Sequence, residues 1–371
     1  MKAKENLFSP IRYGRLTVPN RFVRSATNDR TAADGGRPGE RTEILFRELA
    51  RGDIGLIITG HAYVHPSGIA GFDQWGIHRD DPVPAYRRVV DVVHSEGGRV
   101  MMQLAHAGRQ SRAKWVKRTP MAPSAVHEPV YGIDPAPMSE ADIETIIEAF
   151  VLAAVRARVA GFDGVQLHAA HGYLISQFLS PHTNRRDDSW GGDFDGRFRF
   201  LQEIYSRIRK ELGDDYPILV KMNSTDGLPG GLDLDDAVQI AARLDRAGID
   251  GIEVSGGMAE AGEFTARRDL NPEAEAYFLP AGARIKAEVN CPVISVGGHR
   301  EYKRMNEAVE EGRTDAVALS RPFIREPDLV RLFRAGQERA ACISCNGCFG
   351  LRIRPTRCAK LAELPPWAVR Q

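Results

Sequence analysis

Short runs rich in valine, isoleucine and leucine alternate with amphipathic helical patterns along most of this 371-residue chain. Several helical patterns end in a glycine just before the next run, as at Gly161 and Gly248, where glycine can adopt the left-handed conformation that closes a helix. Strand and helix alternating eight times without a break in order is typical of a closed parallel barrel. We therefore predict an α/β fold of the (β/α)8 TIM-barrel class.

The hydrophobic periodicity places each element. The predicted strands are Arg21–Ala26, Ile54–Gly60, Arg99–Leu104, Gly164–His168, Ile218–Met222, Gly251–Ser255, Val293–Val296 and Ala316–Leu319. The predicted helices are Glu40–Arg51, Pro84–Glu96, Glu140–Ala160, Asp195–Leu212, Asp233–Ala247, Leu279–Val289, Glu301–Glu310 and Asp328–Ala335. Two connections exceed the plain repeat: residues 105–139, and a long excursion at residues 172–195 after the fourth strand. Long loops at the carboxyl ends of barrel strands build active sites, so we expect the site there.

The composition changes to cysteine, glycine, arginine and proline after about residue 336. We predict a barrel domain at residues 1–335 and a cysteine-rich segment at residues 336–371 that packs on it. The formal charge of +1 gives no reason to expect nucleic acid or an anionic membrane as partner. No stretch is apolar and long enough to span a bilayer, and the amino terminus lacks an apolar signal core, so we expect a cytoplasmic protein.

Two histidines and a tyrosine follow the fourth predicted strand in the run His168-Ala-Ala-His171-Gly-Tyr173. Two neutral imidazole N–H groups can stabilise one developing oxyanion, and a nearby phenol can deliver a proton. A His-x-x-His pair by itself is more often structural, and no third ligand at a suitable spacing supports zinc catalysis. The position after a barrel strand, together with Tyr173, favours chemistry on a carbonyl compound.

Other polar residues close other predicted strands, with Gln103 at the third and Lys221 at the fifth. Glycine pairs follow the sixth and seventh strands, and Ser320-Arg321 follows the eighth. Glycine amides and an arginine after the late strands are typical of a phosphate cradle. A lysine near an electron-rich ring stabilises the anion formed on reduction, so this set suits a phosphorylated ring cofactor. An ion pair of Lys221 with Asp226, or a capping role for Arg321, are the structural alternatives.

Long motifs extend this pattern, namely Leu7-Phe-Ser-Pro, Asn20-Arg21-Phe-Val, Gln103-Leu-Ala-His-Ala-Gly-Arg109, His168-Ala-Ala-His-Gly-Tyr-Leu and Gln177-Phe-Leu-Ser-Pro-His-Thr-Asn-Arg185-Arg-Asp-Asp-Ser-Trp-Gly-Gly192. They resemble the Old Yellow Enzyme family of FMN-dependent oxidoreductases over about residues 6–335. The resemblance implies bound FMN, NADH or NADPH as the hydride donor, and an α,β-unsaturated carbonyl compound as the acceptor. Barrels of this family often pair, so a homo-oligomer is possible.

The resemblance also implies a role for each matching residue. His168 and His171 would hydrogen-bond the substrate carbonyl oxygen over the flavin, and Tyr173 would donate the proton. The residues implied to hold FMN are Ser25, Ala26, Thr27, Gly60 and Gln103 at the ring, Lys221 near its N1/O2 edge, and Gly297, Gly298, Ser320 and Arg321 at the phosphate. Ala26 stands where many relatives have proline, and Asn28 where they have threonine or cysteine.

Four of the five cysteines are close together in the chain, at Cys342, Cys345, Cys348 and Cys358. Three closely spaced thiolates and a remote one can hold a cubane cluster. The segment resembles the [4Fe–4S] site of the 2,4-dienoyl-CoA reductase and trimethylamine dehydrogenase branch, although its last interval is shorter. A tetrahedral zinc site and metal-free thiols are the alternatives. We expect this chain, which ends at Gln371, to lack the dinucleotide-binding half of those enzymes.

We therefore expect an FMN-dependent enzyme that passes hydride from NADH or NADPH through flavin N5 to the C=C bond of an enone. The cysteines support an alternative, a dienoyl-CoA reductase or amine dehydrogenase, although those relatives usually replace one or both imidazoles. An electron-transfer partner flavoprotein without turnover of its own is another alternative. A metal-dependent aldolase on the same barrel would leave Gln103 and Lys221 unexplained.

Overall fold

The computed structural model describes residues 6–349 and 355–368. The barrel strands β1 to β8 are Phe22–Arg24, Leu56–Ile58, Val100–Ala105, Gly164–Ala169, Ile218–Asn223, Gly251–Ser255, Val293–Val296 and Ala316–Leu319. Each strand pairs in parallel with the next, and β8 pairs with β1, where Leu319 lies beside Arg24. This last pairing closes the sheet, so the predicted TIM barrel is confirmed.

Helices α1 to α8 follow these strands and are Glu40–Arg51, Val83–Ser95, Glu140–Ala160, Phe194–Leu212, Leu234–Arg246, Leu279–Lys286, Tyr302–Glu310 and Leu329–Arg334. Their positions agree with the periodicity because capping residues mark several ends. Ser139, Asp193 and Asp233 each accept a hydrogen bond from a backbone N–H in the first turn of α3, α4 and α5. In the described part of the chain, no helix is long and apolar enough to cross a bilayer.

A short hairpin before the barrel, which the periodicity does not predict, pairs Ile11–Tyr13 with Leu16–Val18. Strands of three residues are too short to show an alternation of apolar and polar residues. Tyr13 is fully buried, and a Cβ added at Gly251, where β6 begins, would lie 3.1 Å from its ring. The hairpin therefore covers the amino-terminal end of the barrel and joins the core inside it.

The two long connections are folded and are attached to each other. They contain the short helices Gly108–Gln110, Ala113–Val116 and Leu174–Leu179 and the two-residue strands Met121–Ala122 and Ala136–Pro137. Gly108 has φ +58°, and a Cβ there would lie 2.3 Å from Gln177 Oε1. That oxygen accepts a hydrogen bond from the Arg109 N–H at 3.2 Å. The motif that ends at Arg109 and the motif that begins at Gln177 thus hold the two connections together over the carboxyl end of the barrel.

The cysteine-rich segment contacts the barrel at several points. Thr356 donates its N–H to the Asp29 carbonyl and its hydroxyl to the Asn28 carbonyl, both at 2.8 Å. Trp367 is buried beside α1. The segment therefore reaches the loop that follows β1. The predicted domain boundary at residue 336 stays a prediction, because contacts between the segment and the barrel do not locate a boundary.

Candidate active site

A cavity of about 470 Å³ lies at the carboxyl ends of the barrel strands. Cofactor and small-molecule sites typically measure about 300–1,000 Å³. Its lining includes the predicted residues Ser25, Ala26, Thr27, His171, Tyr173, Lys221, Gly297, Gly298, Ser320 and Arg321. These are all of the predicted catalytic and cofactor residues except Gly60, Gln103 and His168. The barrel thus brings together residues that are spread over almost 300 positions of the chain (25 to 321).

Gly60 and Gln103 are near the cavity without lining it. A Cβ at Gly60 would lie 2.8 Å from the Thr27 carbonyl oxygen, so glycine lets the end of β2 approach the loop after β1. Gln103 is buried in β3 and donates from Nε2 to Gln166 Oε1 at 2.7 Å. Contact of Gly60 or Gln103 with a bound ring stays a prediction.

His168, His171 and Tyr173 form a cluster of rings. The ring centroid of His168, in β4, lies 5.2 Å from that of His171 and 4.7 Å from that of Tyr173. His171 has φ +62°, a strained value for a residue with a side chain. Asn223 Oδ1 accepts the His171 N–H at 3.0 Å, and Ser255 Oγ lies 2.8 Å from His171 Nε2. These two partners, which sequence reasoning missed, hold His171 in place from β5 and β6.

His61 completes the cluster and was also missed. It follows Gly60 in the loop after β2, and its Nε2 lies 3.4 Å from the Tyr173 hydroxyl. Its ring centroid is 5.3 Å from that of Tyr173 and 6.2 Å from that of His168. Its position just beyond a predicted strand was the only signal in the sequence. Burial lowers the pKa of His61 to about 4, so the imidazole is neutral at pH 7.

The surroundings set the protonation states of the cluster. Burial lowers the pKa of His168 and of His171 well below 6.5, and the positive charge of Lys221 adds to the effect. Burial raises the pKa of Tyr173 above its ordinary value. At pH 7 both imidazoles are therefore neutral and the phenol keeps its proton. His168 Nδ1 is buried and has no hydrogen-bond partner among the described residues, and His168 lies behind the lining residues His171 and Tyr173.

Lys221 pairs with Glu253 rather than with Asp226. Its Nζ lies 3.1 Å from Glu253 Oε1, and the two residues are neighbours in the register of β5 and β6. Asp226 instead accepts a hydrogen bond from Asn223 Nδ2 at 2.9 Å. A single acidic residue inside a strand carries no motif, so Glu253 could not be singled out from the sequence.

The opposite end of the cavity is rich in arginine and backbone amides. Gly297 and Gly298 have φ of +114° and +77°, and a Cβ at either would lie 2.8 Å from the Tyr277 ring. Only glycine fits both the conformation and the contact. Arg321 and Arg300 line this region. Arg300 is paired with Glu275, whose Oε1 accepts from Arg300 Nε at 2.9 Å, whereas Arg321 Nη1 donates to the neutral Asn346 Oδ1 at 2.6 Å. The charge of Arg321 therefore favours an anionic group such as a phosphate.

The four clustered cysteines line a second, small cavity, and they are Cys342, Cys345, Cys348 and Cys358. Cys348 and Arg321 line both cavities, so the two sites are adjacent. Arg325 Nη1 donates to Cys358 Sγ at 3.8 Å, and burial raises the pKa of the Cys348 thiol to about 11. Within residues 6–349 and 355–368, no three Cys, His, Asp or Glu side chains are grouped as a metal site. The cluster stays a prediction.

Buried histidines around the site predict a stability that depends on pH. Burial lowers the pKa of His106 to about 3, whereas in the unfolded chain it titrates near 6.5. Below pH 6.5 the unfolded chain binds a proton at His106, whereas His106 in the folded chain stays neutral down to about pH 3. The free energy of unfolding should therefore fall by up to about 1.4 kcal/mol per pH unit for this histidine. Urea unfolding at pH 7, 6 and 5 measures the slope.

The His106→Gln variant isolates this contribution, because His106 lies outside both cavities. The variant should show a shallower loss of stability between pH 7 and 5 than the parent protein. An identical slope in the two proteins would contradict the assignment.

The chain matches the model of the NADH:flavin oxidoreductase / NADH oxidase family over residues 6–340. It belongs to that family. An NADH oxidase from Thermoanaerobacter brockii is 38% identical over 353 residues, which are 94% of this chain and 54% of the oxidase. A solved 2-naphthoyl-CoA reductase in complex with 2-naphthoyl-CoA has a TM-score of 0.87 and 30% identity, covering 93% of this chain and 55% of that one.

An Old Yellow Enzyme homologue from Zymomonas mobilis superimposes with a TM-score of 0.78 and 26% identity, covering 90% of this chain and 94% of the homologue. The predicted resemblance to the Old Yellow Enzyme family is thus confirmed, and FMN is the cofactor that this membership supports. The chain spans about half the length of the oxidase and of the naphthoyl-CoA reductase, and almost the whole length of the Zymomonas protein.

Proposed function

We propose that this flavin oxidoreductase binds FMN in the 470 Å³ cavity and reduces the C=C bond of α,β-unsaturated carbonyl compounds with NADH or NADPH. One observation carries the proposal. Two neutral imidazoles and a protonated phenol form one cluster, of which His171 and Tyr173 line a cavity that also presents arginines and glycine amides. The chemistry that FMN would supply when bound is hydride transfer from the nicotinamide to the substrate.

The cavity residues fit FMN. Ser25, Ala26 and Thr27 line it after β1, where a flat ring can lie against backbone and small side chains. Gly297, Gly298 and Arg321 line the arginine-rich end and suit the ribityl phosphate. Lys221 adds a positive charge to the lining, which would stabilise the charge that a flavin ring gains on reduction.

His168 and His171 would bind the substrate carbonyl oxygen. Ser255 can donate its hydroxyl to His171 Nε2 at 2.8 Å, which places the imidazole proton on Nδ1 and leaves that N–H to donate. His168 Nδ1 has no partner in the described chain and can bind the same oxygen. Because the oxygen gains negative charge in the transition state, these bonds strengthen there and lower the barrier.

Tyr173 would protonate the substrate α-carbon. Its raised pKa keeps the phenol protonated at neutral pH, as a general acid must be. Its hydroxyl is 3.4 Å from His61 Nε2, and both residues line the cavity. The two imidazoles would thus stabilise the developing negative charge, and the phenol would deliver the proton.

A CoA-thioester reductase is the second candidate function. The 2-naphthoyl-CoA reductase with 2-naphthoyl-CoA aligns over 93% of this chain, which favours an unsaturated acyl-CoA as the alternative substrate. An amine dehydrogenase and an electron-transfer flavoprotein are further alternatives. The intact pair of imidazoles supports the simple enone as the first choice.

Turnover assays separate these candidates. Under anaerobic conditions, purified protein reduced with NADH or NADPH is given a simple enone or a dienoyl-CoA, whereas oxidised protein without NAD(P)H is given a methylamine, whose oxidation would reduce the flavin. Rapid reoxidation of the reduced protein by the enone supports the proposal. Reoxidation by the dienoyl-CoA alone supports the second function. The same assays choose between NADH and NADPH, and sedimentation of the holoenzyme tests pairing of barrels. Protein that binds no flavin would refute both functions.

We also propose that the four clustered cysteines hold a [4Fe–4S] cluster. They line one cavity, and the arginines Arg321 and Arg325 beside them would offset the negative charge of a thiolate-bound cluster. Ser344 and Asn346 have φ of +56° and +55°, so the chain turns tightly between the cysteines. Four thiolates could hold zinc instead.

The absorption spectrum of anaerobically purified protein tests the cluster. The parent protein should show flavin bands with a broad iron–sulfur thiolate absorption, and Cys345→Ser should lose most of the broad absorption and keep the flavin bands. Cys291→Ser is the matched control, because this buried cysteine lies outside the segment and its spectrum should not change. A parent spectrum with flavin bands alone would dismiss the cluster, and metal analysis would then test for zinc.

A further inference from the structure

A chain of hydrogen-bonded, buried side chains crosses the barrel below the cavity. Gln103 Nε2 donates to Gln166 Oε1 at 2.7 Å, and Gln166 Nε2 donates to Glu253 Oε2 at 2.9 Å. The other carboxylate oxygen, Glu253 Oε1, accepts from Ser25 Oγ at 2.6 Å and lies 3.1 Å from Lys221 Nζ. Lys221 Nζ also donates to Ser25 Oγ at 2.8 Å. Glu253 therefore has partners on both oxygens.

Glu253 contacts two cavity-lining residues, Ser25 and Lys221, but does not itself line the cavity. Its side chain is 0% exposed, and it is absent from the lining, whereas Lys221 and Ser25 belong to it. Taking a carboxylate and an ammonium out of water is costly, and a well-packed neutral pair of similar volume is often no less stable. An ion pair at this depth, joined to two cavity residues, is therefore better explained by an effect on what the cavity holds than by stability.

We propose that Glu253 is a positioning residue that sets the reduction potential of the bound flavin, an inference that rests on the proposed function. The carboxylate offsets the charge of Lys221 and orients Lys221 and Ser25. A flavin ring gains negative charge on reduction, and an unopposed ammonium at the lining would stabilise that charge. Because charges interact strongly in a buried site, the carboxylate lowers the stabilisation that Lys221 provides. Glu253 thus keeps the reduced cofactor a strong enough donor to reduce a C=C bond.

The Glu253→Gln variant tests this, because glutamine keeps the size and one carbonyl oxygen but removes the charge. The equilibrium constant for two-electron reduction of the bound flavin should rise at least about tenfold, which corresponds to about 30 mV. The holoenzyme is reduced anaerobically beside a reference dye, so the readout needs no substrate. The double variant Glu253→Gln/Lys221→Met, which removes both charges, should lose this rise.

Gln166→Met is the matched control, because it removes the hydrogen bonds with Gln103 and with Glu253 Oε2 and leaves both charges in place. Its equilibrium constant should change less than about threefold. A tenfold rise in this control, or no rise in Glu253→Gln with FMN bound, would overturn the inference. If Glu253→Gln fails to retain FMN, the double variant decides: restored binding supports pairing of the two charges, and continued loss overturns it. Parent protein without FMN would refute the proposed function instead.

Discussion

Replacing either His168 or His171 with alanine should lower the rate of enone reduction on the order of 10²-fold to 10³-fold while FMN stays bound. Both imidazoles are neutral, because burial lowers their pKa, so each can donate one N–H bond to the carbonyl oxygen. The loss should appear in the reoxidation of the reduced enzyme by the enone, measured by stopped flow. Unchanged FMN absorbance per protein would show that the cavity is intact.

His127→Ala is a matched control, because this exposed histidine pairs with Asp134 outside the cavity. Its rates should equal those of the parent protein. Reoxidation at the parent rate in both the His168 and the His171 variants would discard the assignment of the oxyanion site. A loss in only one variant would assign the carbonyl oxygen to that imidazole alone.

Replacing Tyr173 with phenylalanine should lower the same rate on the order of 10²-fold to 10⁴-fold, the usual contribution of a general acid. Phenylalanine keeps the ring that lies 4.7 Å from His168 and removes only the proton donor. Because burial raises the pKa of Tyr173, the parent rate should not fall between pH 7 and about 9 through loss of this proton. Stopped-flow reoxidation across this pH range measures both effects.

Tyr63→Phe provides the comparison, since Tyr63 stacks on His78 and does not line the cavity. It should reoxidise at the parent rate. If Tyr173→Phe also kept the parent rate, the assignment of Tyr173 as the proton donor would be wrong.

The barrel could be predicted from the sequence because its signals are local. Buried parallel strands appear as short apolar runs, and caps such as Ser139 and Asp233 mark helix ends within a few residues of the chain. The hairpin of Ile11–Tyr13 and Leu16–Val18 could not be predicted, because its strands have too few residues to show a periodic pattern. Its place at the bottom of the barrel depends on contacts with distant strands.

The local pattern by itself determined the strands, the helices and the residues at the strand ends, since these follow from periodicity and from motifs such as His168-Ala-Ala-His171-Gly-Tyr173. Only the tertiary structure decided which side chains meet. Glu253 lies beside Lys221, and Ser255 beside His171, because neighbouring strands are held in one register. Periodicity along a chain carries no information about contacts across a barrel, so partners 32 or more positions apart (221 to 253) appear only when the sheet closes.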